Sequence, residues 1–215
     1  MSIHFYYASG SPPSWRVWLS LEHKQLPYEM HVLSFGSGDH KKPEYLSINP
    51  RGKVPSITDD GFALYESVAI VEYLDQRYPD AGQPLLPRDA RTAAIARRMI
   101  QEADHYYAAG NGKLLRETLF RRGGGEGDPK VIAEGREAIA AELANFERSI
   151  AGDYLAGPLS AADFSLYPYI AMSMRVERRH PDLHIADLVG PKLRAWMARI
   201  EALPFFQKTF PPGWK

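Results

Sequence analysis

Every convincing β-prone run in this chain of 215 residues lies before residue 65, and none follows Ala90. That asymmetry excludes one sheet threaded through the whole chain and predicts two units, a small α/β unit followed by an all-helical one. Alternation in Ile3-His4-Phe5-Tyr6-Tyr7 predicts a strand. The turn-prone Ala8 to Ser14 ends it, and apolar periodicity from Trp15 to Leu26 predicts a helix. Leu26-Pro27 breaks that helix, Tyr28 to Leu33 alternates as a second strand, and Phe35 to Lys42 reads as a polar loop. Strand, helix, strand in this order predicts a parallel pair. Val54 to Thr58 and Phe62 to Leu64 flank Asp59-Asp60-Gly61, a hairpin signal, and Ile70, Tyr73, Leu74 and Arg77 are spaced as a helix closed by Pro79.

The predicted organisation is an α/β unit over 1–79, a proline-punctuated linker over 80–89 and a helical unit over 90–215. Ala93 to Phe120 reads as one long helix, the glycine cluster Gly123 to Gly127 as a break, and Ile132, Ile139, Leu143, Phe146 and Ile150 as the next helical face. Leu159-Ser160-Ala161-Ala162-Asp163-Phe164 is a capping box with staple residues, which fixes where a helix begins whatever the protein does. Lys plus Arg equal Asp plus Glu at 26 each, so no chain-wide field draws nucleic acid or an anionic membrane. Nothing approaches the roughly 20 apolar residues of a membrane helix, and Met1 to Ser9 carries no leader pattern, so a cytoplasmic protein is expected. There is no cysteine, which excludes disulfides, thiolate metal sites and a protein thiol nucleophile.

The loop Ser9-Gly10-Ser11-Pro12-Pro13-Ser14-Trp15-Arg16 opens the first helix, where unpaired amides and the helix dipole favour an anion. A hydroxyl donated by Ser11 to a bound thiolate would lower a thiol's pKa from its reference of about 8.5. Ser11 and Ser14 also serve, more simply, as helix caps. Val54-Pro55 opens a strand; if that bond is cis, Val54 can pair with a peptide ligand. Glu66-Ser67 opens the next helix, so Ser67 can hold a carboxylate and Glu66 a neighbouring ammonium. Lys53, with His40, Lys41 or Lys42, can reach a second carboxylate; each lysine alone reads as a solvated surface residue. The implied ligand is a peptide with an amino acid at one end, a thiol and a terminal carboxylate, which is the shape of glutathione.

Ser11-Pro-Pro-Ser-Trp-Arg-Val-Trp-Leu, Asn49-Pro-Arg-Gly-Lys-Val-Pro-Ser-Ile, Glu66-Ser-Val-Ala-Ile-Val-Glu-Tyr-Leu and the capping box before Phe164 resemble, in order and spacing, the cytosolic glutathione S-transferase family. The resemblance implies a thioredoxin-like domain with cis-Pro55, a helical second domain, a homodimer and a role in detoxification. It is strongest to the serine-type theta-, zeta- and phi-like classes and to bacterial members, and it makes Ser11 the residue that stabilises the thiolate. Tyr7, Tyr6 and Ser14 are the runners-up. It implies glutathione as co-substrate and conjugation to a small hydrophobic electrophile. That electrophile is expected between the first-helix loop and the helical domain, with Tyr106, Tyr107, Arg116, Phe120, Met172 and Arg175 as candidate walls, although such residues on helices are more often core.

Ser14-Trp15-Arg16-Val17 is similar to the zeta-type stretch, but Pro13 stands where that pattern has a cysteine, which weakens maleylacetoacetate isomerisation. A glutathione-dependent peroxidase and a non-catalytic glutathione-binding protein would use the same fold and the same loops. The tail from Phe210 is read either as a cover on the electrophile pocket or as a free end. His180 and His184 flank Pro181 without clustered carboxylates, so no metal is assigned, and the arginine doublets read as solvated faces rather than a nucleic-acid surface.

Overall fold

The computed structural model describes residues 2–121, 126–150 and 152–214. They form two compact units, Met1–Leu86 with Pro204–Lys215, and Pro87–Leu203. The first unit is built on a four-stranded sheet of order β2-β1-β3-β4, with β1 Ile3–Tyr7, β2 Tyr28–Val32, β3 Ser56–Asp59 and β4 Phe62–Tyr65. β1 and β2 are parallel, as the strand-helix-strand order requires, while β1–β3 and β3–β4 are antiparallel. The β3–β4 turn places Asp60 at φ 46° and Gly61 at φ 89°, the twist a two-residue hairpin needs. Alternation sends Ile3, Phe5 and Tyr7 into the core, where burying each is worth about 1.5–3 kcal/mol.

Helix α1 spans Pro12–His23 and starts three residues before the apolar period does. Pro12 and Pro13 look like breakers, yet in the first turn their missing amides have no helical partner to lose. Gln25, at φ 53°, ends the turn beyond it. After β2, the short helix α2 spans Pro43–Leu46, a segment whose sequence carried no period. α3, Ser67–Arg77, follows β4.

The stretch after α3 belongs to the first unit up to Leu86. Asp75 accepts the amides of Leu85 at 2.7 Å and Leu86 at 3.2 Å and pairs at 3.4 Å with the fully buried Lys24. The predicted helical unit also ran on to residue 215, but the structure groups Pro204–Lys215 with the sheet. The physical reason is aromatic. Trp15 donates from Nε1 to Thr209 Oγ1 at 3.1 Å and packs on Phe206, Phe210 and Trp214 at centroid distances of 5.9, 5.7 and 5.5 Å. The tail is thus neither a free end nor an unattached cover: Trp214 is buried.

In the second unit, the expected single helix is two, α4 Ala90–Glu102 and α5 Ala108–Thr118, joined by a π-helical turn over Ala103–Tyr107. Asp89 caps α4 through the amides of Arg91 and Thr92. Of the glycine cluster, 123–125 lie outside the described residues. α6, Pro129–Ser149, crosses α5 with backbones close enough that a Cβ on Gly110 would meet the Gly135 carbonyl at 3.1 Å. α7, Ala161–Glu177, is buried on most sides and forms the centre of this unit. Its capping box is formed: Asp163, fully buried, accepts the amides of Ser160 at 2.8 Å and Leu155 at 2.9 Å and the Trp196 indole at 2.8 Å. Burial pushes the Asp163 carboxyl up to about 6 against these hydrogen bonds. The short α8, Ile185–Leu188, and α9, Pro191–Glu201, complete the unit, and α10, Phe206–Thr209, carries the tail of the first.

Candidate functional site

Ser11 is the N-cap of α1, with extended backbone, and its Oγ accepts the Ser14 amide at 3.4 Å. It is half-buried, and its hydroxyl proton has no acceptor among the described residues. A hydroxyl at the positive end of a helix with a proton left to give is a donor suited to an anion. Ser14 lies buried behind it, and its Oγ forms no hydrogen bond among the described residues. Strand alternation separates the two tyrosines. Tyr7 is buried against Phe5 and Trp18, with its pKa raised by desolvation, whereas Tyr6 points to the opposite face and stacks on His31.

The loop holding Ser11 is fixed by the tail. Gly10 sits at φ +79°, and a Cβ there would come within 2.7 Å of Trp214 Nε1. Ser9 Oγ donates to the Pro212 carbonyl at 3.0 Å. Both the positive φ and the close approach demand glycine at 10.

The Val54–Pro55 bond is cis. Ahead of it, Asn49 is nearly fully buried; its Nδ2 donates to the Lys53 carbonyl at 2.7 Å and its Oδ1 accepts the Arg51 amide at 3.0 Å. The Tyr45 hydroxyl donates to the same Lys53 carbonyl. The Val54 backbone is left with no hydrogen bond among the described residues, so a strand-like ligand can pair there. Gly52, at φ +58°, brings this loop against the His40 carbonyl, 2.9 Å from where a Cβ would stand. Lys53 and Lys41 are exposed with no carboxylate partner among the described residues, whereas Lys42 is held by Asp39 at 2.7 Å.

Glu66 occupies φ 70°, ψ 110° at the N-cap of α3, an uncommon conformation for a residue with a side chain, costing on the order of 1–3 kcal/mol. Such strain persists where the surrounding structure fixes it, and here it turns an exposed carboxylate beside Ser67. Ser67 is buried, and its Oγ accepts from Arg16 Nη1 at 2.8 Å. Arg16 is 2% exposed. Sequence reasoning gave Arg16 no role of its own, yet this buried cation on α1 stands behind the serine expected to hold a carboxylate. A charged residue one turn inside an otherwise apolar helix was the available signal.

On the second unit the candidate walls divide. Tyr106 and Phe120 are exposed at 61% and 65%, Arg116 is exposed and Arg175 half-buried. Tyr107 and Met172 are instead core residues, Tyr107 fully enclosed with its hydroxyl on Ser173 Oγ at 3.1 Å.

Comparison with known proteins agrees with this fold. The family model for the glutathione S-transferase N-terminal domain matches residues 5–84, and that for its C-terminal domain matches residues 129–199. The chain is 30% identical to glutathione S-transferase A of Pleuronectes platessa, covering 97% of this chain and 91% of that one. Over 41% of this chain and 40% of the relative it is 40% identical to maleylacetoacetate isomerase of Dictyostelium discoideum. A glutathione S-transferase from the Antarctic clam Laternula elliptica superposes with a TM-score of 0.81 at 27% identity, covering 100% of this chain and 94% of the other. With matched models on both units and similarity along nearly its whole length, the chain belongs to the glutathione S-transferase family.

Proposed function

We propose that the protein is a glutathione transferase that conjugates the thiolate of glutathione to a small hydrophobic electrophile. The observation that carries the reading is the Ser11 hydroxyl, held at the N-terminus of α1 with its proton free to donate. A hydrogen bond to a charged acceptor is worth about 1.5–3 kcal/mol, which lowers a thiol's pKa by on the order of one to two units. The sulfur then attacks carbon directly. A C–S bond forms, the leaving group departs with the bonding electrons, and the thiol proton passes to solvent; the protein makes no covalent bond.

The other contacts follow the ligand's chemistry. Val54 pairs with the peptide backbone, Ser67 and Glu66 take the amino-acid end, and Lys53 with His40 or Lys41 takes the far carboxylate. Lys42, already neutralised by Asp39, is the weaker candidate. Tyr106, Arg116, Phe120 and Arg175 remain the candidates for electrophile contact. The deciding experiment is ultraviolet titration of the bound thiol in the intact protein and in Ser11→Ala. A depressed pKa that returns toward the free value in the variant supports the reading; tight binding without depression sinks it in favour of a binding protein.

The similarity to a maleylacetoacetate isomerase supports a second reading, in which glutathione adds to a substrate double bond and leaves unchanged. Counting glutathione consumed per product separates the two, and a peroxidase would return it oxidised. No helix among the described residues is long and apolar enough to cross a membrane. A cytoplasmic setting and a role in detoxification suit a glutathione transferase acting on an apolar electrophile. Membership of the family supports a homodimer, testable by sedimentation.

A further inference from the structure

The histidines of this chain are not spaced as a ligand run, and no metal is expected from the sequence. Parallel pairing brings two of them together. In the β1–β2 register His4 lies across from Glu29 and Tyr6 across from His31, so period two places all four on the face opposite Ile3 and Phe5. On that face His4 Nδ1 stands 3.0 Å from His31 Nε2. Glu29 reaches both rings, Oε2 at 3.5 Å from His4 Nδ1 and Oε1 at 3.5 Å from His31 Nε2.

We propose that His4, Glu29 and His31 form a site for a divalent transition-metal ion of the zinc type. Around a tetrahedral zinc ion, with bonds of about 2.0–2.1 Å, donor atoms stand roughly 3.3 Å apart. Here the two imidazole nitrogens are 3.0 Å apart, and Glu29 sets a different carboxylate oxygen 3.5 Å from each. With one donor atom per residue all three lie within 4.8 Å of one another, so a small shift of the Glu29 side chain closes the set on an ion. The rings are also braced from behind, as metal-binding imidazoles usually are. His4 Nε2 is 3.0 Å from Ser2 Oγ, and His31 stacks on Tyr6 at 4.6 Å with an interplanar angle of 16°. Two imidazoles and one carboxylate suit Zn²⁺, Cu²⁺ or Ni²⁺ and do not suit Mg²⁺ or Ca²⁺, which want oxygen shells. About a third of each imidazole side chain and 66% of that of Glu29 is exposed, so an ion can enter from solvent and keep water in its remaining positions. The site is separate from Ser11 and independent of the glutathione reading.

Two imidazoles sharing one proton would give the same 3.0 Å contact with no ion, so the test must separate these. Zn²⁺ is titrated calorimetrically into the tag-free chain, alongside His4→Ala, His31→Ala and Glu29→Gln, with His105→Ala and His180→Ala as controls. The expected result is one Zn²⁺ per chain, a Tm raised by Zn²⁺, and affinity at least about tenfold weaker in each cluster variant and unchanged in the controls. Cu²⁺ bound in place of zinc should show magnetic coupling to two imidazole nitrogens. Absence of saturable binding in the micromolar range overturns the proposal, as does binding that the cluster variants leave untouched. Should a histidine variant fail to fold, exposed Glu29→Gln and the copper spectrum of the unaltered chain still decide.

Discussion

Arg16 Nη1 and Ser67 Oγ, on helices α1 and α3, meet at 2.8 Å with both side chains buried. One helix therefore carries the proposed thiolate donor at its cap and, one turn further on, the cation behind the proposed carboxylate site. Removing that cation should weaken glutathione binding more than chemistry. Arg16→Gln is expected to raise the KM for glutathione about tenfold with kcat little changed, since a hydrogen bond from a charged donor is worth about 1.5–3 kcal/mol and 1.4 kcal/mol is tenfold. Steady-state kinetics at saturating electrophile measure it, and Ser67→Ala combined with Arg16→Gln should cost less than the two separately.

Ser11 caps α1 and is the proposed thiolate donor, two roles that one substitution can separate. Aspartate caps a helix as well as serine does, but its negative charge would oppose a thiolate. Ser11→Asp should keep the Tm within a few degrees while lowering kcat about 100-fold, the scale of losing one preorganised donor. Ser11→Ala should lose both, about 1 kcal/mol of stability and the activity.

The close approach of Gly10 to Trp214 predicts a coupling. Gly10→Ala puts a Cβ at φ +79° and 2.7 Å from the indole nitrogen, and should cost about 1–3 kcal/mol. Trp214→Ala should cost about 3–5 kcal/mol by emptying a buried site. The double variant, compared by denaturant unfolding, should be less destabilised than the sum, because removing the indole removes the clash but not the unfavourable φ.

Asp163 should leave a mark on stability against pH. Its folded carboxyl is raised from the ordinary 3.8 to about 6 by burial, so the charged form costs on the order of 3 kcal/mol above that range. The cost fades as pH falls through about 6 toward 4, where the folded state holds a proton that the unfolded chain releases. The stability gap between the unaltered chain and Asp163→Asn should therefore widen from about pH 7 to about pH 4. A gap that stays flat across that window would show that the hydrogen bonds from Ser160, Leu155 and Trp196 hold the carboxylate ionised.

Features legible in the sequence were those written in neighbouring residues. Alternation gave β1, Asp60-Gly61 gave the hairpin, and Ser160 with Asp163 gave the start of α7. The loops proposed to bind glutathione could be singled out because each lies within a short stretch whose turn and capping chemistry is local. What escaped was set by distance or by phase. Arg16 and Ser67, or Trp15 and Trp214, meet only after the chain has folded. Pro12-Pro13 hides a helix start, because the same ring that breaks a helix interior is harmless in its first turn. The π turn gives no local signal, and which of the neighbours Tyr106 and Tyr107 faces inward depends on the phase of a helix whose period it interrupts.

The aromatic strap of residues 206–214 has a consequence for the order of events at the ribosome. The unit that holds the sheet has a piece missing until Trp214 has been made, after all of Pro87–Leu203. At about 5–20 residues per second that interval lasts roughly 6 to 23 seconds, during which the sheet and α1 can form but Trp15 lacks its cover and Gly10 its neighbour. The strands and α1 of this unit are made well before its aromatic strap, so the loop bearing Ser11 acquires its final shape only once residues 206–214 have followed the whole helical unit.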